Sequence, residues 1–145
     1  MAGYSGTPLA KKLGIADGSS VAVLAAPAGF LDLLGETLPG TAAVRTRATG
    51  TADVVVSFHT VRAQLESRVP ALVRTLDVDG GLWIAWPKRA SGVATDITED
   101  TVREVFLPLG LVDNKVCAID DTWSGLRVVW RRELRAERRA RHPEP

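Results

Sequence analysis

Short apolar runs alternate with amphipathic stretches along this chain, and the two periods predict strands and helices in turn. Thr7-Pro8 reads as an N-cap followed by proline at the first helical position, and Gly14 fits just past the end. A short helix over 8–13 would then bury Leu9 and Leu13. Val21 to Ala25 predicts a first apolar strand, ended by Pro27. Residues 29–38 predict a helix with Phe30, Leu31, Leu34 and Leu38 facing inward, stopped by Pro39-Gly40. Ala43 to Arg47 alternates and predicts a short, half-exposed strand. Asp53 to Phe58 is apolar on both faces and predicts a central parallel strand. Thr60 is placed to cap the next helix, whose Val61, Leu65, Val69, Leu72, Val73 and Leu76 recur at spacings of three and four. Pro70 inside that pattern should kink or split it.

Gly80-Gly81 opens a second buried strand ending in Trp86-Pro87-Lys88. Trp83 and Trp86 are three apart on it and should point to opposite faces. A loop over 89–96 follows. Thr98 then caps a helix with Glu99 and Asp100 in its first turn, where the dipole favours acids. Val102, Val105, Phe106 and Leu109 mark its inner face, and Gly110 its end. Val116 to Ile119 predicts a strand, residues 120–125 a turn, and Leu126 to Arg131 a returning strand at the edge of a hairpin. This alternation predicts an α/β fold, a three-layer αβα sandwich with a mostly parallel, Rossmann-like sheet and a C-terminal antiparallel hairpin. Residues 1–6 read as a flexible N-terminus, 7–132 as a single domain and 133–145 as a basic tail, a frayed helix or disordered.

Composition narrows the function classes. The chain has 145 residues and a net charge of +1, so no global field draws in nucleic acid or membrane. Residues 131–145 hold six arginines and three glutamates. No aromatic interleaves them as a single-strand binder would want, which argues against nucleic acid and for a solvated helix. Cys117 is the only cysteine, so there is no internal disulfide and no cysteine metal site. No apolar run approaches a membrane span, and the first residues lack the pattern of a signal peptide. The expected location is the cytoplasm.

The order of elements resembles the second half of the class I methyltransferase fold, in reduced form. That resemblance implies a glycine-rich loop after the first strand and an acidic residue ending the second. Here the loop reads Ala25-Ala26-Pro27-Ala28-Gly29, with proline where a backbone N–H should be free. The second strand ends in Arg45-Thr46-Arg47, with no carboxylate to hold a ribose. The linker over 48–52 is too short for a crossover helix. The cofactor half therefore reads as eroded or differently built, and no cofactor is assigned.

A set of phrases carries a second resemblance. They include Gly6-Thr7-Pro8-Leu9, Lys12-Leu13-Gly14-Ile15, Trp86-Pro87-Lys88, Gly110-Leu111-Val112-Asp113, Lys115-Val116-Cys117 and Trp123-Ser124-Gly125-Leu126. On these the chain resembles the small bacterial α/β proteins of the domain-of-unknown-function family numbered 3052. The resemblance implies a compact cytoplasmic α/β protein and supplies no substrate, cofactor or catalytic residue.

The C-terminal ends of parallel strands gather on one edge, where such folds place ligands. Pro27, Gly29, His59, Thr60, Trp86, Lys88 and Arg89 are the candidate ligand-binding residues there, with a small anion or nucleotide as the candidate ligand. Each has a plainer reading: a solvated loop for Lys88 and Arg89, a strand-end histidine for His59, core packing for Trp86. Asp120-Asp121 reads as a turn rather than a metal site, and Cys117 as core rather than nucleophile. No catalytic or metal-ligating residue is assigned. The leading expectation is a non-catalytic binding or regulatory protein. The alternatives are a degenerate S-adenosylmethionine-dependent methyltransferase-like enzyme and an oligomeric interaction module contacting a protein partner or its own copy.

Overall fold

The computed structural model describes residues 7–141. Its strands are β1 Ser20–Leu24, β2 Ala43–Arg45, β3 Ala52–Phe58, β4 Leu76–Pro87, β5 Leu111–Ala118 and β6 Trp123–Trp130. They form one six-stranded sheet in the order β2-β1-β3-β4-β6-β5. The pairs among β1 to β4 are parallel, and β6 runs antiparallel to both of its neighbours. The helices are α1 Leu9–Lys12, α2 Phe30–Gly35, α3 Arg62–Thr75, α4 Glu99–Phe106 and α5 Arg132–Arg141. On one face, Leu9 of α1 and Phe30 and Leu34 of α2 pack over Val21, Val56 and Trp83. On the other, Leu65 and Leu72 of α3 and Val102 and Phe106 of α4 pack over Leu82, Ile84 and Trp86. This is the three-layer sandwich that the alternating periods predict, with Trp83 and Trp86 in opposite layers. Trp83 also fixes α1 to the sheet, its Nε1 donating to Leu13 O at 2.9 Å.

Capping chemistry explains where α4 begins. Thr98 accepts from the Thr101 backbone N–H, and the Thr101 hydroxyl accepts from the Thr98 N–H. Arg103 then pairs with Glu99, Asp100 and Asp113, tying α4 to β5.

Several local expectations change. Thr60 does not cap α3: the Arg62 N–H is taken at 2.7 Å by Asp96 Oδ1, from a loop thirty-four residues away. Pro8, not Thr7, stands at the N-cap of α1. Pro70 neither splits nor ends α3, which runs unbroken through it. Glu66 and Pro70 both lie on the exposed side, so water can serve the carbonyl that proline leaves without a donor. The strand after α3 begins at Leu76, with no loop between. Leu31 faces outward, 41 % exposed, because Phe30 and Leu34 hold the inner face of α2, and Leu109 is 44 % exposed because α4 ends at Phe106. Leu126 to Trp130 is not an edge strand: β6 is inserted between β4 and β5, and β5 is the edge. α5 docks on the fold although none of its side chains is fully buried. Arg135 Nε donates to Trp130 O at 3.0 Å, Arg139 pairs with Asp79 at 2.6 Å, and Leu134 packs against the α3-side core.

Candidate functional site

From β1 the chain goes to β2 on one side, and it then returns to β3 on the other side of β1. The order reverses at this point, and the strand ends there leave a crevice of the kind that takes ligands in open α/β sheets. Three local features shape it. Ala25, just past β1, is held at φ +56°, the left-handed region that an L side chain occupies at a cost, while remaining exposed. Residues 46–51 cross from β2 to β3 without a helix, and Ala48 packs into the α3-side core. Arg45 pins this crossing, donating to Ser20 Oγ and to Thr51 O, each at 2.8 Å. α3 closes the third side.

The resulting cavity is about 410 Å³. Leu24, Ala25, Ala48 and Ala71 supply its apolar lining, and Arg47 and Arg68 supply its charge. Neither guanidinium forms an ion pair or hydrogen bond among the described residues. No carboxylate lines the cavity.

The seven residues singled out from the sequence lie on the same edge of the sheet, but none lines this crevice. Gly29 takes φ +86° at the start of α2 and is exposed, with Pro27 half-buried before it. His59 is 1 % exposed, and both ring nitrogens are occupied: Nε2 lies 2.7 Å from Ser57 Oγ and Nδ1 lies 3.0 Å from Gln64 Oε1. Burial holds His59 below its usual pKa, and the nearby Arg68 charge adds to this against the Gln64 hydrogen bond. A serine, a histidine and an amide in this relation resemble a nucleophile, its base and an orienting group. Ser57 is 0 % exposed, so no substrate reaches it. Thr60 gives its carbonyl to Thr95 Oγ1 at 2.6 Å and to the Asp96 N–H. Trp86 and Arg89 line a separate cleft of about 420 Å³ with Val93, Ile97 and Thr98, above α4. Lys88 is half-buried, and its N–H donates to Thr122 O at 2.7 Å.

The other candidates resolve in structural terms. Asp120 Oδ1 accepts from the N–H groups of Thr122 and Trp123, which shapes the turn into β6. Cys117 is half-buried on edge strand β5, and burial pushes its thiol up against the opposing charges of Lys12 and Lys115. Arg47 and Arg68 escaped sequence reasoning because they lie twenty-one residues apart on a loop and a helix. The one available signal was the absence of a carboxylate at the end of β2.

No family model matches the chain, and no curated protein sequence does either. Solved structures do. A SAM-dependent methyltransferase from Aquifex aeolicus is similar with a TM-score of 0.63 at 15% identity, over 83% of this chain and 86% of that one. A ribosomal protein L11 methylase from Lactobacillus delbrueckii subsp. bulgaricus is similar with a TM-score of 0.59 at 11% identity, over 85% of this chain and 75% of that one. A magnesium protoporphyrin IX methyltransferase from Synechocystis, solved with SAM bound, gives 0.54 at 11% identity, over 79% of this chain and 71% of that one. At these identities the likeness establishes the fold, a reduced form of the class I methyltransferase architecture. It also corrects the leading expectation of a non-catalytic binding or regulatory protein. The fold is shared with enzymes, and the methyltransferase-like alternative is the reading it favours.

Proposed function

We propose that this chain is a degenerate methyltransferase-like enzyme that keeps a nucleoside-sized crevice and lacks the contacts for S-adenosylmethionine. The observation that carries the reading is the crevice at the β1–β3 reversal, in a fold shared with the Aquifex methyltransferase. Its volume lies within the range of small-molecule sites, and Leu24, Ala25, Ala48 and Ala71 give it apolar surface on which a flat base can rest.

S-adenosylmethionine itself fits the residues poorly. Its sulfonium and ammonium are cations, while the crevice offers two guanidinium groups and no carboxylate. The β1 loop contributes Pro27, which has no N–H to donate. Methyl transfer is what the cofactor would supply if bound, and no step is assigned through it. The chain's own residues do three things at this edge. Ala25 holds a left-handed turn just past β1, at the cavity's lining. Neutral His59 locks the end of β3 to α3 through Gln64. Arg47 and Arg68 set a positive potential over the cavity.

The resemblance to the family numbered 3052 and a cytoplasmic location belong to the same proposal. They are supported by the phrases that carry the resemblance and by the lone half-buried thiol. Among the described residues no helix is long and apolar enough to cross a membrane.

The test is an adenosine titration followed by amide NMR shifts, run beside a methyl-transfer assay. Shifts should concentrate at residues 24–26, 46–48 and 68–71. Their absence overturns the crevice. Turnover from S-adenosylmethionine at about 1 s⁻¹ or faster, ordinary for an enzyme, overturns the degenerate reading.

A further inference from the structure

The crevice has the wrong charge for the cofactor of its structural neighbours, and that disagreement is informative. In dinucleotide-binding α/β folds, an acid after the second strand hydrogen-bonds a free ribose, and an arginine there accommodates a phosphate on that ribose. Here Arg47 follows β2 by two residues, and Arg68 faces the same cavity from α3. We propose that this crevice binds a nucleotide bearing a phosphate on its ribose, held between Arg47 and Arg68, with its base against Leu24, Ala25, Ala48 and Ala71. The inference rests on the crevice being the ligand site and adds the chemical class of the ligand.

Three observations carry it. Both guanidinium groups lack a partner among the described residues, and they share a lining that holds no carboxylate. A phosphate dianion offers both guanidiniums charge-assisted, bidentate hydrogen bonds. Their supports are fixed independently of any ligand: Arg45 pins the crossing loop, and the His59–Gln64 hydrogen bond anchors the start of α3. Finally, the backbone strain in the described chain falls at Ala25, one of the cavity's lining residues and the one described non-glycine residue with positive φ. Such strain persists where a close approach or a ligand requires it.

A phosphate group has two sources, a nucleotide or the free ion, and calorimetry separates them. Adenosine 3′,5′-bisphosphate, adenosine 2′-monophosphate, adenosine, inorganic phosphate and S-adenosylmethionine are titrated into the full chain. The better of the two phosphorylated nucleotides should bind at least about tenfold tighter than adenosine, with affinity falling as salt rises. Arg47→Gln and Arg68→Gln should each lower that affinity by roughly tenfold, a larger loss than either causes for adenosine. Arg47→Lys should recover part of the loss, since it restores charge without the planar fork. Both substitutions lie outside the buried core, and a thermal melt of each variant confirms that it folds. Equal affinity for adenosine and its phosphates overturns the inference while leaving the crevice as a nucleoside site. Nucleotide binding untouched by both substitutions overturns it as well. Inorganic phosphate binding as tightly as the nucleotides removes the nucleoside half. Failure of every nucleoside to bind removes this inference and the proposed function together.

Discussion

Ser57 Oγ and His59 Nε2 lie 2.7 Å apart in the interior, on the α3 side of β3. The second ring nitrogen faces Gln64 Oε1, which only accepts, so the ring proton sits on Nδ1 and Nε2 accepts from the serine hydroxyl. The tautomer follows from this network. A neutral imidazole therefore pairs both of its ring nitrogens at the end of β3. The relay is a fastener between a strand and a helix rather than a reaction centre.

That arrangement makes stability depend on pH in a defined direction. His59 has a lower pKa in the fold than its usual value, first through burial. The unfolded chain thus binds the proton more readily, and stability rises with pH between the folded pKa and about 6.5. The His59 contribution is fully present above about pH 6.5 and is lost as pH falls through the folded pKa. Urea unfolding midpoints measured from about pH 5 to about pH 8 should show this, and His59→Gln should be flatter across the window. The variant should also be less stable by about 1–3 kcal/mol near neutral pH, from the disturbed buried polar group. Parallel profiles for the two proteins would contradict the assignment.

The glycine pair that opens the apolar part of β4 should respond unequally to alanine. A Cβ at Gly80 would stand 2.5 Å from the backbone carbonyl oxygen of Asp53, which cannot move alone. A Cβ at Gly81 would meet the Arg127 side chain, a flexible group that lies across the strand there. Gly80→Ala should cost at least about 2 kcal/mol, and Gly81→Ala about 1 kcal/mol or less. Chemical denaturation of the two variants checks the order, and a larger loss at Gly81 would contradict it.

Docking of α5 is open to the same kind of measurement. The Arg138 guanidinium carbon lies 3.7 Å from the centroid of the Trp130 ring, and Arg135 holds the Trp130 carbonyl. Arg138→Ala should destabilise by about 0.5–1 kcal/mol, with a change in tryptophan emission. An unchanged melting curve and spectrum would mean that α5 does not rest on the sheet in solution.

Relief of strain at Ala25 gives a gain instead of a loss. Its φ of +56° suits glycine, and a Cβ there interferes with the backbone. Ala25→Gly should stabilise by roughly 0.5 kcal/mol, the relief exceeding the extra freedom of glycine in the unfolded chain. A clear loss of melting temperature would show that the methyl group packs favourably.

Much of this architecture is legible in the sequence because its signals are local. Apolar period marks β1, β3 and β4, and the Thr98 cap with Val102 and Phe106 behind it marks α4. What stayed hidden depends on contacts distant in sequence. Asp96, not Thr60, caps α3, since the donor's partner arrives from another loop. β6 read as an edge because Arg127 interrupts its second face, yet that side chain lies flat over Gly81 and leaves the strand internal. The candidate residues lie on the same edge of the sheet as the crevice, and none of them lines it. Arg47 and Arg68 were missed because a short crossing, where a helix would ordinarily stand, brings a loop and a helix together around Ala48.

The most direct measurement is the position of adenosine in a crystal structure of the complex. The account predicts a base resting on Ala25, Ala48 and Ala71, with its ribose toward Arg47 and Arg68. A nucleoside seated instead in the cleft of Trp86, Val93 and Ile97, or bound nowhere on the C-terminal edge of the sheet, would contradict it.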